Sequence, residues 1–414
     1  MKTHTLFTIL TLIVVLINPV NGKAFESVSL ENWQFESYHL KYSDDWTASL
    51  IRSELTTADH AYASPSGNVV IKGYLANGRA ELSSPSLPLK PFTWYEIEIL
   101  YKTLGASDSS RALAGLYPAS SRALMDQVIL PSTNGSVRTH KALLHSGASS
   151  PDYHFFVGNT GIGETEFYSF RFRELAAYQV PDKKMMIVDL LKFEADPENM
   201  ELWKSLNRFT SLFGFEDPAY VHPLKIKAGA MEKADPGIIV FTPTATDTES
   251  IKMGFLKKKK HKKGIEKILR YAEENRIPVL GICAGHQSVA LHYGAFLARL
   301  KDDESGKYLK EIGPTTLNIV QEDPVFSHLP DQNKLKITEA HMIVVGYNFK
   351  MPDNLAISED FGNQIFRYHH LEGVPWYTFQ GHIEKDWEYA CPEGSVVMNN
   401  LLSNWGLIQD RFSL

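Results

Sequence analysis

Two periodicities divide the chain. Between residues 24 and 180, apolar positions recur at every second residue in short runs. "TWYEIEILY" (93–101) is one, and "ETEFYSFRFREL" (164–175), with Tyr168, Phe170 and Phe172 on one face, is another. The turn-forming clusters "SPSGN" (64–68), "LGASDSS" (104–110) and "PSTNGS" (131–136) separate such runs. This pattern predicts an all-β antiparallel sandwich. After "YQVPDKK" (178–184), which reads as a linker, the period changes. "MMIVDLL" (185–191) and "GIIVFTP" (237–243) are short apolar strands. A helix is predicted over 196–215, opening at Asp196-Pro197 with Leu202, Leu206, Phe209 and Leu212 near helical spacing, and another over 264–276. Strand-helix alternation predicts an α/β domain over 184–414, with a mostly parallel sheet flanked by helices.

The first 22 residues carry a different signal. Lys2 precedes the apolar run "LFTILTLIVVLI" (6–17), and Val20 and Gly22 stand before a cut ahead of Lys23. Such a run spans about 18 Å as a helix, short of a bilayer core of roughly 30 Å, so it reads as a secretion signal rather than a membrane span. Export, to the outside or the periplasm, is the expectation, and no later stretch is apolar enough to span a membrane.

Length and composition fit this division. A chain of 414 residues with 43% hydrophobic and 22% charged side chains has material for two cores. A net charge of −6 gives no basic footprint for nucleic acid. The local run "KKKKHKK" (257–263) reads as a solvated loop ahead of the second helix, with an anionic surface as its alternative partner. Cys283 and Cys391 are the two cysteines, and the sequence leaves their pairing open. Asn134-Gly135-Ser136 is a glycosylation sequon, informative in a eukaryotic secretory pathway.

The chemistry gathers around "PVLGICAGHQ" (278–287). An apolar strand running into Gly281-Ile282-Cys283-Ala284-Gly285 and then a helix has the form of a nucleophile elbow. The helix N-terminus favours thiolate, and the Ala284 N–H can face a developing oxyanion. A buried, inert cysteine is the competing reading of this motif alone. "WYTFQGHIEKDWEY" (376–389) supplies the missing partners, with Glu384 two residues after His382, on the same face of an extended segment.

With these residues in place, 184–414 resembles the class I glutamine amidotransferase domain, a flavodoxin-like fold. Gly281-x-Cys283-x-Gly285-x-Gln287 is similar to its nucleophile motif and His382-x-Glu384 to its histidine-proline-glutamate motif. The resemblance implies that Cys283 attacks a side-chain amide to give a γ-glutamyl thioester, with His382 as base and then acid and Glu384 orienting it. It further implies that Gln287 helps bind substrate and that His341, in "EAHMIVV" (339–345), is either a substrate residue or structural. No cofactor and no metal are implied. The sequence departs from the family where glycine-glycine-proline normally follows the second strand. "VFTP" (240–243) stands there, leaving the Thr242 N–H as the oxyanion donor in a loop crowded by side chains. Ile383 replaces the family's proline.

The β-rich half resembles the jelly-roll carbohydrate-binding modules of secreted enzymes, which implies a glycan or protein ligand. Trp33, Trp46, Trp94 and Tyr95 are its stacking candidates, against a core role for them. Because that half reads as a sandwich rather than a synthetase, the expected function is an exported thiol hydrolase. Its substrate would be glutamine or a γ-glutamyl amide. The alternative is a non-catalytic binding protein built on the same scaffold.

Overall fold

The structure, a computed structural model, describes residues 34–42, 48–52, 61–63, 68–74, 78–105, 110–119, 126–146, 152–177, 181–190, 206, 211–215, 217–226, 229–243, 259–299, 301–302, 305–348, 352–370, 373–385 and 391–413. The expected signal segment, Trp33, Trp46 and most of the helix expected over 196–215 lie outside these residues. Contacts divide the chain into two compact units, one ending at Tyr178 and the other running from Gln179 to Ser413.

Among the described residues the first unit contains eleven strands. They are β1 (Gln34–Tyr42), β2 (Ala48–Arg52), β3 (Ala61–Ala63), β4 (Val69–Gly73), β5 (Gly78–Pro88), β6 (Thr93–Leu104), β7 (Arg111–Pro118), β8 (Asp126–Leu130), β9 (Arg138–His145), β10 (Asp152–Thr160) and β11 (Gly163–Ala177). They form a six-stranded sheet, β2-β1-β5-β10-β7-β8, and a five-stranded sheet, β3-β4-β11-β6-β9. Pairing is antiparallel, as between β10 and β7 and between β6 and β9. One apolar cluster joins the two sheets: Leu116, Phe155 and Val157 from the first meet Ile97, Ile99 and Phe170 from the second. Along β6 the alternation is direct. Tyr95, Ile97, Ile99 and Tyr101 are buried, while Glu96 and Glu98 turn outward to Arg173 and Arg171 on β11.

On β11 strict alternation fails. The register shifts between Phe167 and Ser169, which face Tyr101 and Leu100 on β6, so Tyr168 is the extra residue of a bulge. The core face is therefore Phe167, Phe170 and Phe172 rather than the expected Tyr168, Phe170 and Phe172. Tyr168 is half-buried and donates its hydroxyl to Glu166 at 2.9 Å.

In the second unit a nine-stranded sheet runs β13-β12-β14-β15-β22-β21-β20-β17-β18. Its strands are β12 (Lys184–Val188), β13 (Ala219–Val221), β14 (Pro236–Phe241), β15 (Val279–Ile282), β17 (Glu311–Ile319), β18 (Lys334–His341), β20 (Asp353–Ser358), β21 (Gly362–Tyr368) and β22 (Trp376–Phe379). β16 (Phe296–Ala298) and β19 (Val344–Gly346) form a separate two-stranded ribbon. The five strands from β13 to β22 are parallel, and the remainder extend the sheet antiparallel. The far strand β18 returns to the middle of the sheet, where Thr338 bridges His382 just past β22.

The helix Lys259–Glu274 covers this sheet with His261, Ile265, Ile268, Leu269 and Ala272 buried, one stripe at helical spacing. The described part of the basic run, residues 259–263, is thus the first turn of a helix and not the expected loop. Lys260, Lys262 and Lys263 are exposed, and His261 packs edge-on against His222 at 5.7 Å. Among the described residues no helix is long and apolar enough to cross a membrane.

The bulge gives a direct test of register. Phe167→Ala is expected to destabilise the first unit by about 3–5 kcal/mol and Tyr168→Ala by less than about 1 kcal/mol, read from urea unfolding of the full chain. The reverse ranking contradicts the bulged register.

Candidate active site

The centre of the site is a backbone corner. β15 ends at Ile282, Cys283 has φ 51° and ψ −104°, and the helix Ala284–His292 follows at once. A positive φ is rare for a residue with a side chain and costs about 1–3 kcal/mol unless its surroundings enforce it. Here they do. A Cβ on Gly285 would lie 2.3 Å from the Phe241 carbonyl oxygen, and one on Gly281 would lie 2.9 Å from the Gly285 backbone. The Cys283 N–H donates to the Phe379 carbonyl at 2.8 Å, and the Gln287 N–H donates to the Cys283 carbonyl at 3.1 Å. Ala284 opens the helix, where amides lack intrahelical acceptors and the dipole favours negative charge.

Register brings the histidine to the thiol. β22 lies parallel beside β15 with Phe379 facing Ile282, so the chain leaving β22 reaches His382 next to Cys283. The His382 N–H donates to the Thr338 carbonyl at 2.7 Å. Beyond it the chain is not extended, as the sequence suggests, but tightens into a 3-10 turn, Ile383–Lys385. That turn folds Glu384, wholly buried, back onto His382, with Oε1 2.8 Å from Nδ1. The imidazole also hydrogen-bonds with Cys283. Burial disfavours the imidazolium, but the Glu384 charge and Cys283 outweigh it and push the His382 pKa up to about 10.

The other expected site residues are placed variously. Gln287 is buried and donates its Nε2 to Gln380 Oε1 at 3.1 Å. Thr242 corrects an expectation. Its N–H donates to the Val188 carbonyl at 3.2 Å, and its hydroxyl accepts the Leu190 N–H at 3.2 Å. A β-branched residue here prolongs the sheet contacts of β14, where a glycine pair leaves the backbone free to turn, so the Thr242 amide is not an oxyanion donor in this structure. His341 lies between two carboxylates, its Nε2 3.0 Å from Glu311 and 3.2 Å from Glu339. Burial lowers its affinity for a proton, yet the two carboxylates prevail and push its pKa up to about 9.

Cys283 and Cys391 are not joined by a disulfide, and burial pushes the Cys391 thiol up to about 12. In the first unit, Trp94 and Tyr95 are core residues. Trp94 meets the ring of His145 at 4.9 Å, and the Tyr95 hydroxyl accepts the Lys90 N–H at 2.8 Å. Asn134 of the sequon sits on an exposed turn between β8 and β9.

Several participants are not marked by sequence motifs. Gln380 holds Gln287, and Thr378 holds the neighbouring His286, with its hydroxyl 2.9 Å from the ring Nδ1. Burial pushes His286 down to about 3, keeping it neutral as it stacks on Phe366 at 5.3 Å. Glu339 is also missed, although its i, i+2 spacing with His341 on a strand was the available signal.

Part of the chain is similar to known proteins. Residues 241–400 match the family model of glutamine amidotransferase class-I. A glutamine-hydrolyzing GMP synthase subunit of Pyrococcus abyssi is 37% identical over 123 residues, covering 29% of this chain and 57% of that protein. Anthranilate synthase component 2 of Saccharolobus solfataricus is 26% identical over 168 residues, covering 40% of this chain and 77% of that protein. A solved glutamine amidotransferase of Thermotoga maritima is 20% identical with a TM-score of 0.36, covering 54% of this chain and 96% of that one. The chain spans a little over half the length of the GMP synthase subunits it matches. Residues 241–400 of the chain carry a class I glutamine amidotransferase domain.

Proposed function

We propose that this protein is an exported thiol hydrolase that cleaves the side-chain amide of glutamine or of a γ-glutamyl compound. The observation that carries the reading is the contact chain Cys283–His382–Glu384 on a strained elbow at the helix N-terminus. The Cys283 thiolate attacks the amide carbon and forms a C–S bond. His382, held as imidazolium by Glu384, gives its proton to the departing nitrogen as the C–N bond breaks. Water then attacks the thioester, His382 accepts its proton, and C–S cleavage releases the acid and restores the thiolate beside the imidazolium. Ala284, first in the helix, offers the amide nearest the elbow to the oxyanion. Export rests on the apolar run 6–17 and its flanks.

One observation favours a second reading, a non-catalytic scaffold: the Thr242 amide is tied to Val188, which leaves the oxyanion one donor short. Losing one such donor costs on the order of 3 kcal/mol in barrier, a slower enzyme rather than none. Turnover therefore separates the readings.

Glutamate release from glutamine or γ-glutamyl amides is expected to fall on the order of 10⁴-fold in Cys283→Ala. Equal rates in the two proteins would exclude the thiol mechanism, and no release by the native protein would favour the scaffold. The pH profile tests the ion pair. His382 is raised, so its acid form persists at neutral pH and is lost as pH rises through about 10. Turnover should fall across that range, and Glu384→Gln, which removes a charge that raises His382, should move the alkaline limb to lower pH. An unmoved limb would show that Glu384 does not set the histidine's protonation.

A further inference from the structure

Beside His382 lies a group of side chains that the hydrolytic reading does not use. Glu311 on β17 and His341 on β18 are directly paired across the ladder, and Glu339 stands two residues before His341 on the same face of its strand. Glu339 and His341 are almost wholly buried, and their donor atoms with one from Glu311 all lie within 4.8 Å of one another. Glycines make the space. Gly313 is opposite Glu339 on β17, and a Cβ on Gly381, the residue before His382, would lie 2.5 Å from Glu339 Oε1.

The polar atoms in this space face one another as ion pairs without well-aligned hydrogen bonds. Neither oxygen of Glu339, nor Nε2 of His341, has a hydrogen-bond partner, although Nε2 stands 3.2 Å from Glu339 Oε2 and 3.0 Å from Glu311 Oε2. The ring nitrogen thus lies within ion-pair distance of both carboxylates. Its other nitrogen, Nδ1, faces the Ile343 carbonyl at 3.1 Å, and a carbonyl can only accept, so Nδ1 carries a proton. That contact fixes Nε2 as the nitrogen that faces the carboxylates and would bind a cation, the arrangement common in histidines that ligate metals. Glu311 is held as well, its Oε2 accepting from Gln364 Nε2 at 3.3 Å. The separations of 3.0 and 3.2 Å are close to the edge of a tetrahedron with metal-ligand bonds near 2 Å, roughly 3.3 Å.

We propose that Glu311, Glu339 and His341 bind a divalent transition cation of the zinc or manganese class. Two carboxylates balance its charge with a neutral imidazole, and three protein donors leave a coordination position open. Without the ion, a proton on Nε2 is what holds the carboxylates together, and cation binding displaces it.

The test uses the full chain in a Cys283→Ser background, so that the elbow thiol, itself a zinc ligand, does not compete. Chelator-stripped protein is titrated with Zn²⁺ by calorimetry and its thermal unfolding followed with and without the ion. One ion per chain and a higher Tm with Zn²⁺ are expected. His341→Ala is expected to abolish both effects, and Glu311→Gln, at a less buried position, to weaken binding by roughly tenfold or more. Should His341→Ala fail to fold, Glu311→Gln decides. No uptake by the stripped protein, or uptake unchanged in the variants, would overturn the assignment.

Discussion

The carbonyl of Phe241 and the α-carbon of Gly285 approach so closely that no side chain fits between them. This contact locks the start of the helix Ala284–His292 against the end of β14, and Gly281 packs on Gly285 from the other side. Between those glycines the chain can turn only by placing Cys283 in the left-handed region. The hydrogen bonds of its amide and carbonyl hold it there. A strain of about 1–3 kcal/mol is thereby converted into a thiol presented at a helix N-terminus, beside the strand that delivers His382. The grouping of Cys283, His382 and Glu384 depends on that corner.

Around the corner the sheet changes character. Its parallel half, β13 to β22, sets Cys283 and His382 at the ends of adjacent strands, where open α/β sheets place ligands. Its antiparallel half curls until Thr338 on β18 bonds the His382 amide. That return also brings Glu339 against Gly381, so His382 is flanked by Glu384 on its own turn and by a second charged cluster from the far strand. The histidine is thus positioned by contacts from three separate stretches of chain.

Much of this was legible from residue order. Cys283, His382 and Glu384 each sit in a local setting whose physics reads directly: small residues at a strand-helix corner, or an acid two residues from an imidazole. The alternation along β6 likewise predicts which side chains are buried, because the strand is regular. What could not be read depends on pairing. The bulge at Tyr168 moves Phe167 into the core, and only the partner strand reveals it. Thr242 looked available as a donor until β12 was placed beside it and took its N–H. His261 sat unnoticed among lysines, since a basic run looks solvated until the helix shows which residue turns inward. The Glu311–Glu339–His341 group needs the register of β17 against β18, which joins residues far apart in sequence.

The central claim is that the fold holds Cys283 as a reactive nucleophile rather than as a packed thiol. The most direct measurement treats the native full chain with an electrophilic glutamine analogue and maps the adduct by mass spectrometry. The account predicts one adduct, on Cys283, with Cys391 unmodified and with labelling slowed by His382→Ala. Unmodified Cys283 in the native protein, with labelling only after denaturation, would contradict it.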